Sequence, residues 1–264
     1  MGNKNYRALL VDIDGTLTCA AQKTPRERVV RGLERLRRQG VLVMLATGRT
    51  LFACRSEVMG GFVPDYYICI NGVYITDREG RVLYDRPMSR AQFELILALA
   101  DEEGCPTGFA FPESYYMYAG DAVYRPFYAR VNGDMLSLRD GSDRTRHLNG
   151  MPHAAFGIIP PDKLEHFRDP AMGLHITAYD TDVYDICMEG HTKATGAARL
   201  LETIGLGWDE VVAVGDGEND VELLECAGRG VAMGNAPPHV KARADAVTGT
   251  VLEDGVLQVI ERYF

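Results

Sequence analysis

Nowhere in the 264 residues does an apolar run approach the length of a membrane span. The opening Met1-Gly2-Asn3-Lys4-Asn5-Tyr6 carries no apolar segment of the kind that directs secretion. Both absences point to a cytoplasmic chain with no membrane partner. Gly2 does not mark myristoylation, because Tyr6 stands where that motif needs Ser or Thr. An excess of basic residues is missing too: 28 Lys and Arg face 37 Asp and Glu, a net charge of −9. Such a balance excludes a general nucleic-acid binder, whose affinity rests on a basic face. It leaves room for a small phosphorylated substrate met by a few local cations. The six cysteines form no C-x-x-C and the six histidines show no ligand spacing. These spacings exclude a zinc site and a disulfide framework, and fit core thiols in a reducing compartment. There is no internal repeat and no low-complexity tract.

What is present is organised around Ala8-Leu9-Leu10-Val11-Asp12-Ile13-Asp14-Gly15-Thr16-Leu17. Four apolar residues closed by a Gly-bearing turn read as a strand of a parallel sheet covered on both faces. Asp12 and Asp14 then fall at its carboxyl end, the edge where open α/β sheets bind ligands. Two carboxylates this close repel each other, so a divalent metal, a lysine or a proton must share the site. A solvated Asx-type turn is the bland alternative. A calcium loop of the EF-hand type fits poorly, because Leu17 and Lys23 stand where its glycine and its last glutamate belong.

Thr24-Pro25 predicts an N-cap and first helical residue, followed by Val29, Leu33 and Leu36 at helical spacing up to Gly40. Val41–Ala46 is a second continuous apolar strand, so the first 46 residues form a βαβ unit. Thr47-Gly48 leaves that strand at its carboxyl end. A helix over Leu51–Met59 and a strand over Tyr66–Ile70, closed by Asn71-Gly72, follow. The pattern then turns antiparallel, with a hairpin over 73–84 and a helix opened by a Ser89-x-x-Gln92 capping box. Residues 105–149 read as short strands and loops rich in Tyr, Phe, Gly and Pro. A helix near 162–167 and strands near 174–178 and 183–188 complete the segment. From Lys193 the βα style returns: a helix to Ile204, a strand over Val211–Val214 and the loop Gly215-Asp216-Gly217-Glu218-Asn219-Asp220. A helix over 220–227, a strand over 231–233, a helix after Pro237-Pro238 and one over 256–262 finish the chain. The expected fold is α/β: a Rossmann-like parallel-sheet core formed by residues 1–79 and 187–264, with an α+β module inserted as residues 80–186.

Four polar clusters thus share or reach one sheet edge: Asp12/Asp14, Thr47-Gly48, Lys193 and Asp216–Asp220. Each alone has an ordinary structural reading, whether a capping turn, a solvated lysine or an acidic loop. A lysine in the first turn of a helix is disfavoured by the helix dipole, which makes Lys193 notable. Together the clusters have complementary charge, and phosphoryl transfer is the chemistry that needs such a set. An anionic carboxylate attacks a dianionic phosphate monoester only with cations between them. Mg²⁺ demands hard oxygen ligands such as Asp12 and Asp216. Lysine adds a point charge, and the Thr47 hydroxyl and turn amides add oriented donors.

Asp12-Ile13-Asp14-Gly15-Thr16, Thr47-Gly48-Arg49, Lys193 and Gly215-Asp216-Gly217-Glu218-Asn219-Asp220 resemble the four ordered motifs of the haloacid dehalogenase superfamily. The large insert, with Asn71-Gly72 before it, is similar to that of the Cof-type hydrolases. His191-Thr192-Lys193-Ala194 departs from the Lys-Gly of many such chains, and Lys193 is retained as the matching lysine. The resemblance implies that Asp12 is the nucleophile and a metal ligand. It makes Asp14 the general acid and base, with its carbonyl on the metal. Thr47, Gly48, the Ile13 backbone, Lys193 and Asn219 would hold the phosphoryl group. Asp216 would ligate Mg²⁺, supported by Asp220. The implied activity is hydrolysis of small phosphorylated metabolites through an aspartyl phosphate. Sugar phosphates come first, with pyridoxal phosphate and flavin mononucleotide open. A phosphomutase and a non-catalytic phosphate- or metal-binding module are the rivals. The insert would act as a lid, with Arg125, Arg130, Asp143, Arg144, Tyr115, Tyr116, Tyr118 and Tyr124 as candidate contacts. A monomer or weak homo-oligomer is expected.

Overall fold

A computed structural model describes residues 6–131, 134–168 and 170–264; Gly2 lies outside them. The chain divides into two compact units. The first holds residues 1–48, 54–84 and 192–264, and the second residues 49–53 and 85–191.

The first unit is built on the strands β1 (Ala8–Val11), β2 (Leu42–Ala46), β3 (Tyr66–Cys69), β4 (Tyr74–Asp77) and β5 (Val82–Asp85). Six more strands belong to the second unit: β6 (Thr107–Phe111), β7 (Ser114–Ala119), β8 (Leu138–Asp140), β9 (Ala154–Ile158), β10 (Leu174–Asp180) and β11 (Val183–Met188). The chain then returns through β12 (Val211–Gly215), β13 (Arg229–Ala232) and β14 (Ala246–Val247). The core sheet runs in the order β14-β13-β12-β1-β2-β3-β4-β5. It is parallel from β14 to β3, with β4 antiparallel to β3. From β1 the chain builds outward to β2 and β3 on one side, and from β12 to β13 and β14 on the other. The gap between the carboxyl ends of β1 and β12 is therefore the switch point at which doubly wound sheets bind ligands.

Both faces of this sheet are covered, which is why its strands are unbroken apolar runs. Ala8, Leu10, Met44 and Ala213 pack with Ala197, Leu200 and Leu201 of α4 (Lys193–Ile204) and Leu223 and Leu224 of α5 (Val221–Cys226). The alternate residues Leu9, Val43 and Leu45 are equally buried. Of the remaining helices, α1 (Glu27–Arg38) meets α7 (Gly255–Tyr263) so closely that a methyl on Gly32 would press on Leu257 and Ile260. A single turn, α6 (Pro238–Lys241), follows Pro237. In the second unit the sheet order is β10-β11-β9-β6-β7-β8. It carries α2 (Arg90–Glu103), opened by the Ser89/Gln92 capping box, and α3 (Asp121–Val131). Tyr124 and Tyr128 of α3 pack with Met117, Leu138, Phe156 and Val183.

Several expectations change. No helix spans 51–59: Ala53 N–H bonds the Thr50 carbonyl and Met59 N–H the Arg55 carbonyl, two separate turns. The Thr50 hydroxyl competes for the Ala53 amide. Thr24 does not cap α1; Arg26 stands at the N-cap position, extended and without a side-chain capping bond, while its guanidinium donates to Gln22 and the Leu252 carbonyl. The loop-rich 105–149 contains α3, whose interior Pro126 hid it. The helix near 162–167 is a 3-10 turn over Leu164–Phe167. The boundaries move as well. Residues 82–85 pair with the core sheet and β11 runs on to Met188, so the division falls at 84/85 and 191/192 rather than 79/80 and 186/187.

Candidate active site

Asp12 follows β1 directly, its N–H donating to the Val214 carbonyl at 3.0 Å, so that β12 holds it in place. Its carboxylate accepts from Lys193 Nζ at 2.7 Å, and the same ammonium donates to Asp220 at 2.7 Å. All three side chains are buried, Lys193 with 2% of its surface exposed. The lysine reaches this point because Thr192 caps α4 in a reciprocal box with Thr195, which places residue 193 in the first turn facing the sheet. The dipole opposes a cation there. Burial works against the ammonium too, yet the two carboxylates outweigh both effects and hold its pKa above the ordinary value.

Asp220 has both oxygens engaged. One takes Lys193; the other accepts the N–H groups of Asp216 and Gly217 at 3.1 and 3.0 Å. It thereby fixes the loop that presents Asp216. The Asp216 carboxylate is held by Thr16 Oγ1 at 3.3 Å and by Asn235 Nδ2 at 3.0 Å. Carboxylate oxygens of Asp12, Asp216 and Asp220 lie within 4.8 Å of one another. The carboxylate of Asp14, half-buried one residue past Ile13, lies outside that set. One lysine among four aspartates leaves an excess of negative charge. Burial, then the neighbouring Asp220, pushes Asp216 up to about 7. Burial raises Asp12 as well, against the pull of Lys193. Hard oxygen donors with surplus charge fit a divalent cation of the magnesium type.

Gly15 (φ +82°) closes this side, and a methyl group on it would overlap Asp216 Oδ2. Ile13 is fully buried, its carbonyl accepting from Thr16, Leu17 and Thr18 N–H. Thr47, also fully buried, donates its N–H to the Ile68 carbonyl and accepts from Asn71 N–H. Asn71 Oδ1 in turn accepts from Asn219 Nδ2 at 3.1 Å and lies 3.4 Å from where a Gly48 Cβ would stand. Ile70 and Asn71 both have positive φ, 49° and 51°. For a β-branched residue that is strained backbone, and it is located beside the site.

Asp12, Lys193, Asp216 and Asp220 are thus drawn into one buried cluster, with Thr47, Gly48 and Asn219 tied through Asn71. Two participants had no place in the expected set. Asn71 was legible only as a turn residue. Asn235 Nδ2 also donates to the Gly15 carbonyl at 2.7 Å, and its Oδ1 accepts from Val251 N–H. Its only signal was position, just past the carboxyl end of β13. The candidate lid residues are mostly engaged within their own unit. Arg125 pairs with Asp121, Arg130 with Asp180, Arg144 with Asp101, Asp143 with Thr145 and Tyr118 with His147.

A buried carboxylate–lysine–carboxylate set lies at the switch point of a doubly wound sheet, the edge at which α/β folds bind ligands. The chain belongs to the haloacid dehalogenase-like hydrolases, whose family profile matches residues 9–260. It is 29% identical to the pyridoxal phosphate phosphatase YbhA of Escherichia coli, over 96% of this chain and 97% of that protein. It is likewise 29% identical to a phosphoglycolate phosphatase of Methanosarcina acetivorans, over 97% and 96%. The chain spans about half, 54%, of a Streptococcus pyogenes relative named as a bifunctional phosphatase/peptidyl-prolyl cis-trans isomerase. Among solved structures, a subclass IIB sugar phosphatase of this superfamily aligns with a TM-score of 0.79 at 25% identity, over 97% of this chain and 98% of that one. A superfamily member from Bacteroides thetaiotaomicron, 24% identical over 99% and 96%, shares the fold with a TM-score of 0.85.

Proposed function

We propose that this chain is a Mg²⁺-dependent phosphatase of small phosphorylated metabolites, working through an aspartyl phosphate on Asp12. The observation that carries the reading is Lys193 Nζ, 2.7 Å from both Asp12 and Asp220 in a buried site beside Asp216. A lysine held there opposes the burial that raises Asp12, orients its carboxylate for in-line attack and offers its charge to the incoming phosphoryl oxygens. Asp14 has the more open position, suited to giving a proton to the leaving alkoxide and taking one from the water that frees Asp12. The Ile13 and Gly48 amides, the Thr47 hydroxyl and Asn219 orient the phosphoryl group. Asp12, the Asp14 carbonyl and Asp216 would hold Mg²⁺, which when bound would supply positive charge to offset that of the nucleophile and the phosphate. Asp220 acts through Lys193 and the Asp216 loop.

The inserted unit, residues 85–191, is proposed as the lid that reads the leaving group. Sugar phosphates are the first choice of substrate. The related phosphatases are named for pyridoxal phosphate and phosphoglycolate, which differ in everything except the monoester. Six free cysteines, four of them buried, suit a cytoplasmic site of action, and the working form is proposed as a monomer or weak homo-oligomer. No helix among the described residues is long and apolar enough to cross a membrane. The test is steady release of orthophosphate from p-nitrophenyl phosphate and from a panel of phosphorylated metabolites. Activity should depend on Mg²⁺ and vanish in Asp12→Asn with folding intact. Release unchanged by EDTA, or surviving in that variant, overturns the reading.

A further inference from the structure

Residues 49–53 leave the phosphate-handling turn Thr47-Gly48 and yet belong to the inserted unit rather than to the core that supplies the turn. Two hydrogen bonds explain this. Thr50 N–H donates to the Tyr115 hydroxyl at 3.1 Å, and Phe52 N–H donates to the Pro112 carbonyl at 3.1 Å. Both acceptors lie on the β6–β7 hairpin. A third contact comes from Arg139, whose guanidinium lies 6.0 Å from the Phe52 ring centre while its Nε donates to Ser114. The Tyr115 ring is itself fixed edge-on against Phe156 at 5.4 Å and Tyr128 at 5.9 Å, so its hydroxyl has little freedom. Thr50 is fully buried, and its amide has no water to fall back on.

We propose that Tyr115 is a positioning residue for phosphate binding. Its hydroxyl anchors the backbone two residues beyond Gly48 and so sets the direction in which the Thr47-Gly48 turn presents its donors. This inference rests on the reading of Thr47 and Gly48 as phosphoryl ligands. It also gives Tyr115 a partner within its own unit, its hydroxyl oxygen accepting from Thr50 N–H. Removing one such bond from a buried amide weakens whatever depends on its geometry by about five-fold.

The experiment compares full-length wild type, Tyr115→Phe and Tyr118→Phe. Tyr118 is a buried tyrosine of the same strand whose hydroxyl bonds His147 and does not reach Thr50. Three quantities are measured: kcat and KM for p-nitrophenyl phosphate, the orthophosphate dissociation constant by calorimetry, and the melting midpoint. Tyr115→Phe should raise KM and the orthophosphate constant together by about five-fold, with kcat within two-fold. Tyr118→Phe should lower the midpoint and leave orthophosphate binding unchanged. Unaltered orthophosphate binding in Tyr115→Phe, or equal weakening in Tyr118→Phe, overturns the proposal. A wild type that binds orthophosphate but hydrolyses no ester refutes the phosphatase reading alone, because the binding comparison still stands.

Discussion

Lys193→Met isolates the one cation in the buried cluster. Methionine keeps most of the lysine stem's volume, so the helix packing of α4 survives and the change is chiefly one of charge. What it leaves is Asp12 and Asp220, each nearly sealed from water, with no ammonium at 2.7 Å. Stripping one partner from a buried ion pair costs about 3–5 kcal/mol, mainly through the uncompensated charge left behind. For a chain of this size that is a fall in the melting midpoint of roughly 6–20 °C. The loss should depend on pH, and its sign follows from Asp12. Burial already raises its folded pKa above the unfolded value, so its carboxyl contributes stability below the ordinary carboxylate range and loses it as pH rises through the folded value. Without Lys193 the folded pKa climbs further, and a proton substitutes for the missing cation in acid. Melting curves in EDTA should therefore show a small deficit near pH 5 and a large one near pH 8. A deficit under about 1 kcal/mol, or one equal at both pH values, refutes the account of Lys193 as the charge that allows Asp12 to ionise.

Asp216, raised to about 7, favours the metal-free fold below about pH 4 and loses that contribution by about pH 7, because the folded state binds its proton more tightly than the unfolded chain. Mg²⁺ must displace that proton, so the rise in melting midpoint with millimolar Mg²⁺ should be slight near pH 5.5 and several degrees near pH 8; a flat response contradicts the assignment. Gly15→Ala puts a methyl group into Asp216 at φ +82°. It should weaken Mg²⁺ binding by calorimetry at least about ten-fold and lower kcat by about 10², and wild-type Mg²⁺ affinity would show that the loop gives way freely. Asn235→Ala removes its bonds to the same carboxylate, the Gly15 carbonyl and Val251 N–H, and should weaken Mg²⁺ by about five-fold and lower the midpoint in EDTA by a few degrees; unchanged Mg²⁺ affinity would contradict its role.

The helix α4 was legible to the residue because its signals are local: apolar spacing and Gly205, which takes the left-handed conformation; its Thr192 cap emerges only in the structure. The strands β1, β2 and β12 were legible because burial on both faces removes polar residues altogether. Where partners lie far off in sequence, local signals mislead. Residues 51–59 have helical composition, but their first turn answers to Tyr115 and Pro112, some sixty residues away. In α3 the proline and aromatics that argue against a helix are accepted because Tyr124 and Tyr128 find a core to fill. The acidic motifs of the site stood out as clusters. Asn235 did not, since a single asparagine declares nothing until its partners Gly15 and Asp216, 220 and 19 residues away, are placed beside it.

The distance along the chain between the halves of the site has a consequence for synthesis. Lys193 lies 181 residues after Asp12, and Asp216 lies 200 residues after Thr16. At roughly 5–20 residues per second, a ribosome takes about 10–40 s to deliver the second half after the first. Throughout that interval β1 has β2 on one side and, on the side later filled by β12, a row of open backbone donors and acceptors. The nascent chain holds Asp12 and Asp14 without Lys193 and Asp216 until those later residues are made. Completion of the acidic cluster and the closing of that open strand edge arrive in the same event.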